Sequence, residues 1–202
     1  MKKKILGAVE QWKISVHKKV VSFYIKDPVN RAFYINRGFS KWFGWQDMQY
    51  RKNDSSVETK LEVKTYEDRF FDMWIQGFSG AYRSLYLSAD IKPEYEDIEG
   101  NRKWASENRE NLLLFFDGME FIGSSFLQNG FISAMFVCPR HQRKGYAKQM
   151  LHYLILRSQN QGNHLIRLAV LDINEAAINL YKGVGFETER AFELSRLSII
   201  SE

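Results

Sequence analysis

The chain has 202 residues, 45% of them hydrophobic, enough to bury one good core and too few for two ordinary domains. Its net charge of +5 is uneven: residues 1–56 hold twelve lysines and arginines against four acids, whereas residues 57–202 are slightly acidic. The single cysteine, Cys138, excludes an intramolecular disulfide, fits a reducing compartment, and reads as a small buried hydrophobe more readily than as a nucleophile.

The amino-terminal Met1-Lys2-Lys3-Lys4 imitates the start of a signal peptide. Its apolar run stops at Glu10, too short for a leader or a membrane span, so a cytoplasmic protein with no membrane contact is expected. The basic front also carries Trp12, Phe23, Tyr24, Phe33, Tyr34, Phe39, Trp42, Phe43 and Trp45. Such a mixture can stack on and neutralise nucleic acid. These aromatics fall on strand-like runs, however, which favours core filling with a solvated charged face and makes a nucleic-acid partner the weaker reading. The apolar run from Val20 to Ile25 reads as a strand, and Asp54-Ser55-Ser56 marks the best boundary before a domain spanning residues 57–202.

Residues Val57 to Tyr66 read as that domain's first strand, and Glu67 to Leu87 carry helical spacing that Gly77 and Gly80 are expected to divide into two helices. The segment Ile91 to Arg109 is polar and gathers Glu94, Glu96, Asp97 and Glu99 beside Tyr95 and Trp104. Asp117-Gly118 between apolar runs predicts a hairpin, and Asn129-Gly130 turns the chain into a strand from Phe131 to Val137. The next helix shows in Ala147, Met150, Leu151, Leu154 and Ile155 at helical spacing. A strand from Leu165 to Leu171, another helix and two closing strands between about Glu187 and Ile200 complete the order. Strands and helices in this sequence predict an α/β fold with a mixed sheet.

Two stretches carry chemistry. Val137-Cys138-Pro139-Arg140-His141-Gln142-Arg143-Lys144-Gly145-Tyr146-Ala147 leads from a strand through a basic glycine turn into a helix. The free N–H groups and positive dipole of a helix start hold phosphate, and a glycine lets the backbone approach it. Downstream, Asn174, Ala177, Tyr181, Gly185 and Phe186 keep an Asn-x-x-Ala-x-x-x-Tyr-x-x-x-Gly-Phe spacing. Together, in this order and with one strand between them, the two stretches resemble the signature motifs of the GNAT superfamily of acyl-CoA-dependent N-acyltransferases. The resemblance is clear from about Glu110 to Ser198.

That resemblance implies a mostly antiparallel central sheet in which two parallel strands splay apart, with flanking helices. It also implies transfer of an acetyl group from acetyl-CoA to a primary amine, with no metal. Backbone N–H groups of Phe136, Val137 and Cys138 would polarise the acyl carbonyl. Gln142, Arg143, Lys144, Gly145, Tyr146 and Ala147 would hold the pyrophosphate, the two cations adding charge. Asn174 would cap the following helix and orient the cofactor end of the strand. Tyr181 would protonate the departing thiolate as general acid. The positions where the family often carries a glutamate base fall on Phe131 and Ala169, neither of which accepts a proton. Asp172, Glu120 and the acids between Glu94 and Glu99 could act through water but have no motif behind them, and an amine that arrives already deprotonated is the equal alternative, so no base is assigned.

Two further expectations concern the partners. Clustered carboxylates with aromatic faces attract cations, so the segment from Ile91 to Arg109 suits a small cationic amine or a protein amine as acceptor; an exposed acidic loop is the alternative. At the amino terminus, Tyr34-x-x-x-Gly38-Phe39 repeats the spacing of Tyr181-x-x-x-Gly185-Phe186. Residues 1–56 thus read as a basic, aromatic-rich extension holding a degenerate half-copy of the carboxy-terminal half, without a phosphate turn. Such a half-domain must lay its strands on the main sheet or on another subunit, as in a homodimer. A CoA-binding module without activity, and a nucleic-acid-associated protein using the basic front, are the alternative functions.

Overall fold

The computed structural model describes residues 19–52 and 59–198. The start of the chain, the Asp54-Ser55-Ser56 boundary and the last residues of the expected closing strands lie outside them. In chain order the elements are β1 (Lys19–Ile25), α1 (Pro28–Ile35), β2 (Ser40–Tyr50), β3 (Glu62–Thr65), α2 (Phe71–Ala89), α3 (Ile98–Glu107), β4 (Leu112–Asp117) and β5 (Glu120–Gln128). They continue with β6 (Phe131–Val137), α4 (Tyr146–Asn160), β7 (Ile166–Leu171), α5 (Glu175–Val184) and β8 (Glu187–Ser198). The strands form one eight-stranded sheet in the order β1-β8-β2-β7-β6-β5-β4-β3. Every neighbouring pair is antiparallel except β6 and β7. This is the mixed α/β sheet with two parallel strands that the motifs imply.

Two cores lie on opposite faces. Met150, Leu151, Leu154 and Ile155 of α4 pack with Ile178 and Tyr181 of α5 against Ile132, Leu168 and Val170. On the other face Phe71, Trp74, Ile75 and Phe78 of α2 meet Leu112, Leu114, Phe121 and Phe136. Both faces of β4 are covered, which is why Leu112 to Phe116 form an unbroken apolar run without alternation.

Three expectations are corrected. The helix from Phe71 is not divided at Gly77 or Gly80 but runs unbroken for 19 residues after a short 3-10 turn, Asp68–Phe70. Gly77 serves packing: a Cβ there would meet Phe136 Cε2 at 2.9 Å, with Cys138 Sγ and Phe121 Cε1 both at 3.0 Å. The polar segment after Ile91 hides α3, whose Asp97 caps the Gly100 N–H at 3.0 Å and whose Ala105 is fully buried. The two closing strands are one 12-residue strand, β8. Residues 187 to 198 contain no glycine, proline or asparagine to turn them. Its second partner comes instead from the amino-terminal segment, where β2 runs between β8 and β7.

This insertion has a local two-fold symmetry. Tyr34, Gly38 and Phe39 each precede Tyr181, Gly185 and Phe186 by 147 residues, both glycines have positive φ (80° and 113°), and Asp27 and Asn174 cap the corresponding helices. In the β2–β8 ladder Ser40 opposite Arg196 mirrors Gln49 opposite Glu187, with the pair Trp45 and Phe192 on the axis.

Candidate active site

The centre of the sheet opens between β6 and β7. They pair only at Phe131 with Arg167 and Ile132 with Leu168, and then diverge. Just past that point β6 bulges: Ser125 of β5 faces both Ala134 and Met135, and Ala134 takes φ +47°. A bulge re-aims the backbone beyond it. The Met135 carbonyl accepts a hydrogen bond from the Tyr82 hydroxyl of α2 at 3.0 Å, where a neighbouring strand would otherwise bond it.

Antiparallel alternation then distinguishes the three expected oxyanion donors. The Cys138 N–H donates to the Ile122 carbonyl at 2.8 Å, so Phe136, two residues earlier, exchanges bonds with Ser124. Val137, opposite Gly123, therefore turns its N–H toward the diverging β7. Of Phe136, Val137 and Cys138, Val137 has the backbone donor that faces the opening. Burial pushes the Cys138 thiol up to about 11, which keeps it protonated and unreactive at neutral pH.

Below β6 the chain makes a 3-10 turn, Pro139–His141, and the Gln142 Nε2 folds back to donate to the Val137 carbonyl at 3.0 Å. The Gln142 side chain thus holds the turn to the strand. Arg143 and Gly145 both adopt left-handed backbone, φ +63° and +81°, and a Cβ on Gly145 would meet nothing within 4 Å. No side chain caps α4, so the N–H groups around Tyr146 and Ala147 point outward with the helix dipole. Arg143 and Lys144 are exposed, and neither forms an ion pair among the described residues. Tyr146 donates its hydroxyl to Asp117 Oδ2 at 2.7 Å, tying the helix start to the β4–β5 hairpin. Asn174 Oδ1 accepts from the Ala177 N–H at 3.2 Å and so caps α5.

Tyr181, on α5, is 8% exposed and packs on Phe186. Burial pushes its phenol up to about 12, so it is fully protonated at physiological pH. Its charge would also interact with Tyr82, whose own phenol is raised by burial first and by Tyr181 second, so the two lie within electrostatic reach.

On the α2 face the same opening adjoins a cavity of about 570 Å³. Trp74, Phe78, Tyr82 and Tyr86 of α2 wall it, Glu94, Asp97 and Trp104 close it, and Ser133 and Ala134 of the bulge form its floor. Of the four acids expected there, Glu94 and Asp97 line the cavity; Glu96 and Glu99 do not. The Tyr86 phenol is raised by burial and by its hydrogen-bonded neighbour Glu94. Other carboxylates are engaged. Asp172 pairs with Lys41 and accepts from the Gly44 N–H at 3.1 Å, while Glu120 holds Arg140 at 2.9 Å beside His141. Phe131 and Ala169 present no proton acceptor.

The open glycine turn, the splayed strand pair and the helix bearing the buried phenol all lie within residues 70–186, which match the Acetyltransferase (GNAT) family. The chain belongs to that family. It is 34% identical over 79 residues to the peptidyl-lysine N-acetyltransferase YiaC of Escherichia coli, a match covering 39% of this chain and 51% of that protein. The chain thus spans about half the length of this curated relative. A GCN5-related N-acetyltransferase from Sphaerobacter thermophilus superposes with a TM-score of 0.67 at 13% identity, over 88% of this chain and 59% of that one. The yncA protein from Salmonella typhimurium, solved with its cofactor acetyl-CoA, gives a TM-score of 0.51 at 13% identity, over 71% of this chain and 96% of that one. Both likenesses show the fold. No helix among the described residues is long and apolar enough to cross a membrane.

Proposed function

We propose that the protein is an N-acetyltransferase that moves an acetyl group from acetyl-CoA to a primary amine. One set of observations supports this reading: the Val137 N–H faces the diverging β7, the turn at Gly145 opens the start of α4 just below the same strand, and the protonated Tyr181 is within electrostatic reach of Tyr82, which bonds the Met135 carbonyl of that strand. Gly145, Tyr146 and Ala147 would present their backbone to the pyrophosphate, with Arg143 and Lys144 adding charge. Val137 would donate to the acyl oxygen, and Tyr181 would hand its proton to the sulfur as the carbon–sulfur bond breaks. The cavity's Glu94 and Asp97, set among aromatic faces, favour a cationic acceptor, a small amine or a protein lysine, the latter in keeping with the YiaC likeness.

We place the protein in the cytoplasm, which its single buried thiol suits. The local two-fold supports reading residues 19–52 as a half-copy of the carboxy-terminal strand–helix–strand unit. Trp42, which donates to the Ala89 carbonyl at 2.7 Å, and Trp45, stacked between Phe23 and Phe192, support a structural use of the amino-terminal aromatics over nucleic-acid stacking. The deciding test is acetyl-CoA binding by calorimetry followed by a turnover screen over polyamines, aminoglycosides, amino acids and lysine peptides. Turnover with a cationic amine is expected. Binding without turnover would make the protein a CoA-binding module, and no binding would remove the reading altogether.

A further inference from the structure

An amine acceptor must lose protons to react, yet Asp172 and Glu120 are held in ion pairs away from the cavity, and the cavity's own Glu94 and Asp97 are bonded to the Tyr86 hydroxyl and the Gly100 N–H. At neutral pH only about one lysine-type amine in a thousand is uncharged. A proton acceptor beside the attacking nitrogen is therefore worth a large factor in rate. Such a group must face the α2 side of the sheet, near the point where β6 and β7 part. On β7, Leu168 and Val170 are buried in the α4–α5 core, so Ala169 between them turns to the α2 side, where it is exposed. Ile132 pairs with Leu168, which brings Ser133, part of the cavity floor, level with Ala169.

The residue directly across from Ala169 on the other side is Asp47 of β2. Directly opposed residues in an antiparallel pair share a face, with Cβ atoms about 5 Å apart. Ser133, Ala169 and Asp47 thus form a row across three strands, roughly 10 Å from end to end before the splay widens it. Between Ser133 and Asp47 the row carries only the exposed methyl group of Ala169. Asp47 is half-buried, with 31% of its side chain exposed, and its one ion pair among the described residues is a loose contact to Arg190 at 3.7 Å.

We infer that Asp47 is the general base of the reaction, a catalytic carboxylate that the amino-terminal segment inserts beside β7. This assignment rests on the acetyltransferase reading. The amine nitrogen bonds to the acyl carbon and the carbon–sulfur bond breaks. The Asp47 carboxylate takes one proton from the ammonium and passes it to water; the sulfur takes its proton from Tyr181, and the second proton of the nitrogen returns through water to restore the Tyr181 phenol. The strand register sets Arg190 of β8 opposite Asp47, with Glu189 in the register shift beside it, and Arg167 of β7 opposite Gln49; Tyr82 and Tyr86 of α2 line the cavity side.

The test compares wild type, Asp47→Asn, Arg190→Gln and the double variant Asp47→Asn/Ala169→Glu, with the best acceptor from the screen. Asp47→Asn should lower kcat on the order of a hundredfold at pH 7 and leave the acetyl-CoA Kd unchanged. The deficit should shrink as pH approaches the acceptor's own pKa, where the amine is already neutral. Ala169→Glu places a carboxylate across the same strand pair and should restore at least tenfold of the loss. Arg190→Gln breaks the ion pair but keeps the carboxylate, and should stay within a few-fold of wild type. Equal losses in Asp47→Asn and Arg190→Gln, or a deficit constant with pH, would mean a structural ion pair and overturn the assignment. An unchanged kcat in Asp47→Asn would overturn it too, leaving the transferase reading standing. A wild type without turnover on any amine would remove both.

Discussion

Replacing Tyr181 with phenylalanine separates packing from chemistry, because the ring remains and only the hydroxyl goes. That hydroxyl makes no hydrogen bond among the described residues, and the ring packs on Phe186 at 6.0 Å between centroids. Its removal breaks no pair, so the stability change should stay within about 1 kcal/mol. The rate should respond very differently. A phenol pushed up to about 12 by burial is a proton reservoir held next to the opening, and losing a general acid costs on the order of a hundredfold. That factor corresponds to about 2.7 kcal/mol of transition-state stabilisation. Steady-state turnover, followed by release of the CoA thiol, should therefore fall about a hundredfold with the acetyl-CoA Kd and the Tm close to wild type. A turnover number equal to wild type would show that Tyr181 is packing alone. A Kd that weakens in step with kcat would show that its hydroxyl binds and does not catalyse.

Four more outcomes follow from the same geometry. Gly145→Glu should abolish acetyl-CoA binding by calorimetry: nothing crowds a Cβ there, so the effect would come from the φ of +81° and from repulsion of phosphate, and retained affinity would move the site elsewhere. Glu94→Gln combined with Asp97→Asn should raise KM for a cationic acceptor several-fold and leave the acetyl-CoA Kd alone; an unchanged KM would make the two acids bystanders. Gly77→Ala gains about 1 kcal/mol of helix propensity but forces contacts of 2.9 to 3.0 Å on ring and sulfur atoms, and overpacking of about 1–3 kcal/mol should win. Its Tm should drop, and a rise would show that α2 moves off the sheet without cost. Because the folded Tyr181 phenol lies above its unfolded value of 10.0, its contribution to stability is complete below pH 10 and is lost as pH climbs through about 12. Denaturant titrations over that window should show a smaller loss in Tyr181→Phe than in wild type, and identical losses would deny the shift.

The glycine turn, the helix that follows it and the asparagine-capped helix bearing Tyr181 were legible in the sequence because each is local. A left-handed glycine, an apolar helical stripe and a capping side chain act within a few residues of one another, so spacing alone betrays them. The same holds for the Asp117-Gly118 and Asn129-Gly130 turns, whose four residues specify the hairpins around them. Gly77 misled because a glycine read in isolation signals a break, and only the rings and sulfur of the opposing sheet explain why no side chain fits there.

Position across the sheet was not legible. Residues 187–198 lack a turn residue, yet nothing in them says which strand will pair with them, and the partner lies well over a hundred residues earlier in β2. Asp47 carries no motif, and its place opposite Ala169 depends on the register of an antiparallel pair between distant segments. A slip of one residue would turn its carboxylate to the opposite face of the sheet. Local features, the left-handed glycine turn and the phenol on its helix, follow from the sequence alone. The row of side chains from Ser133 through Ala169 to Asp47 exists only once burial of both faces has set the order and register of the strands.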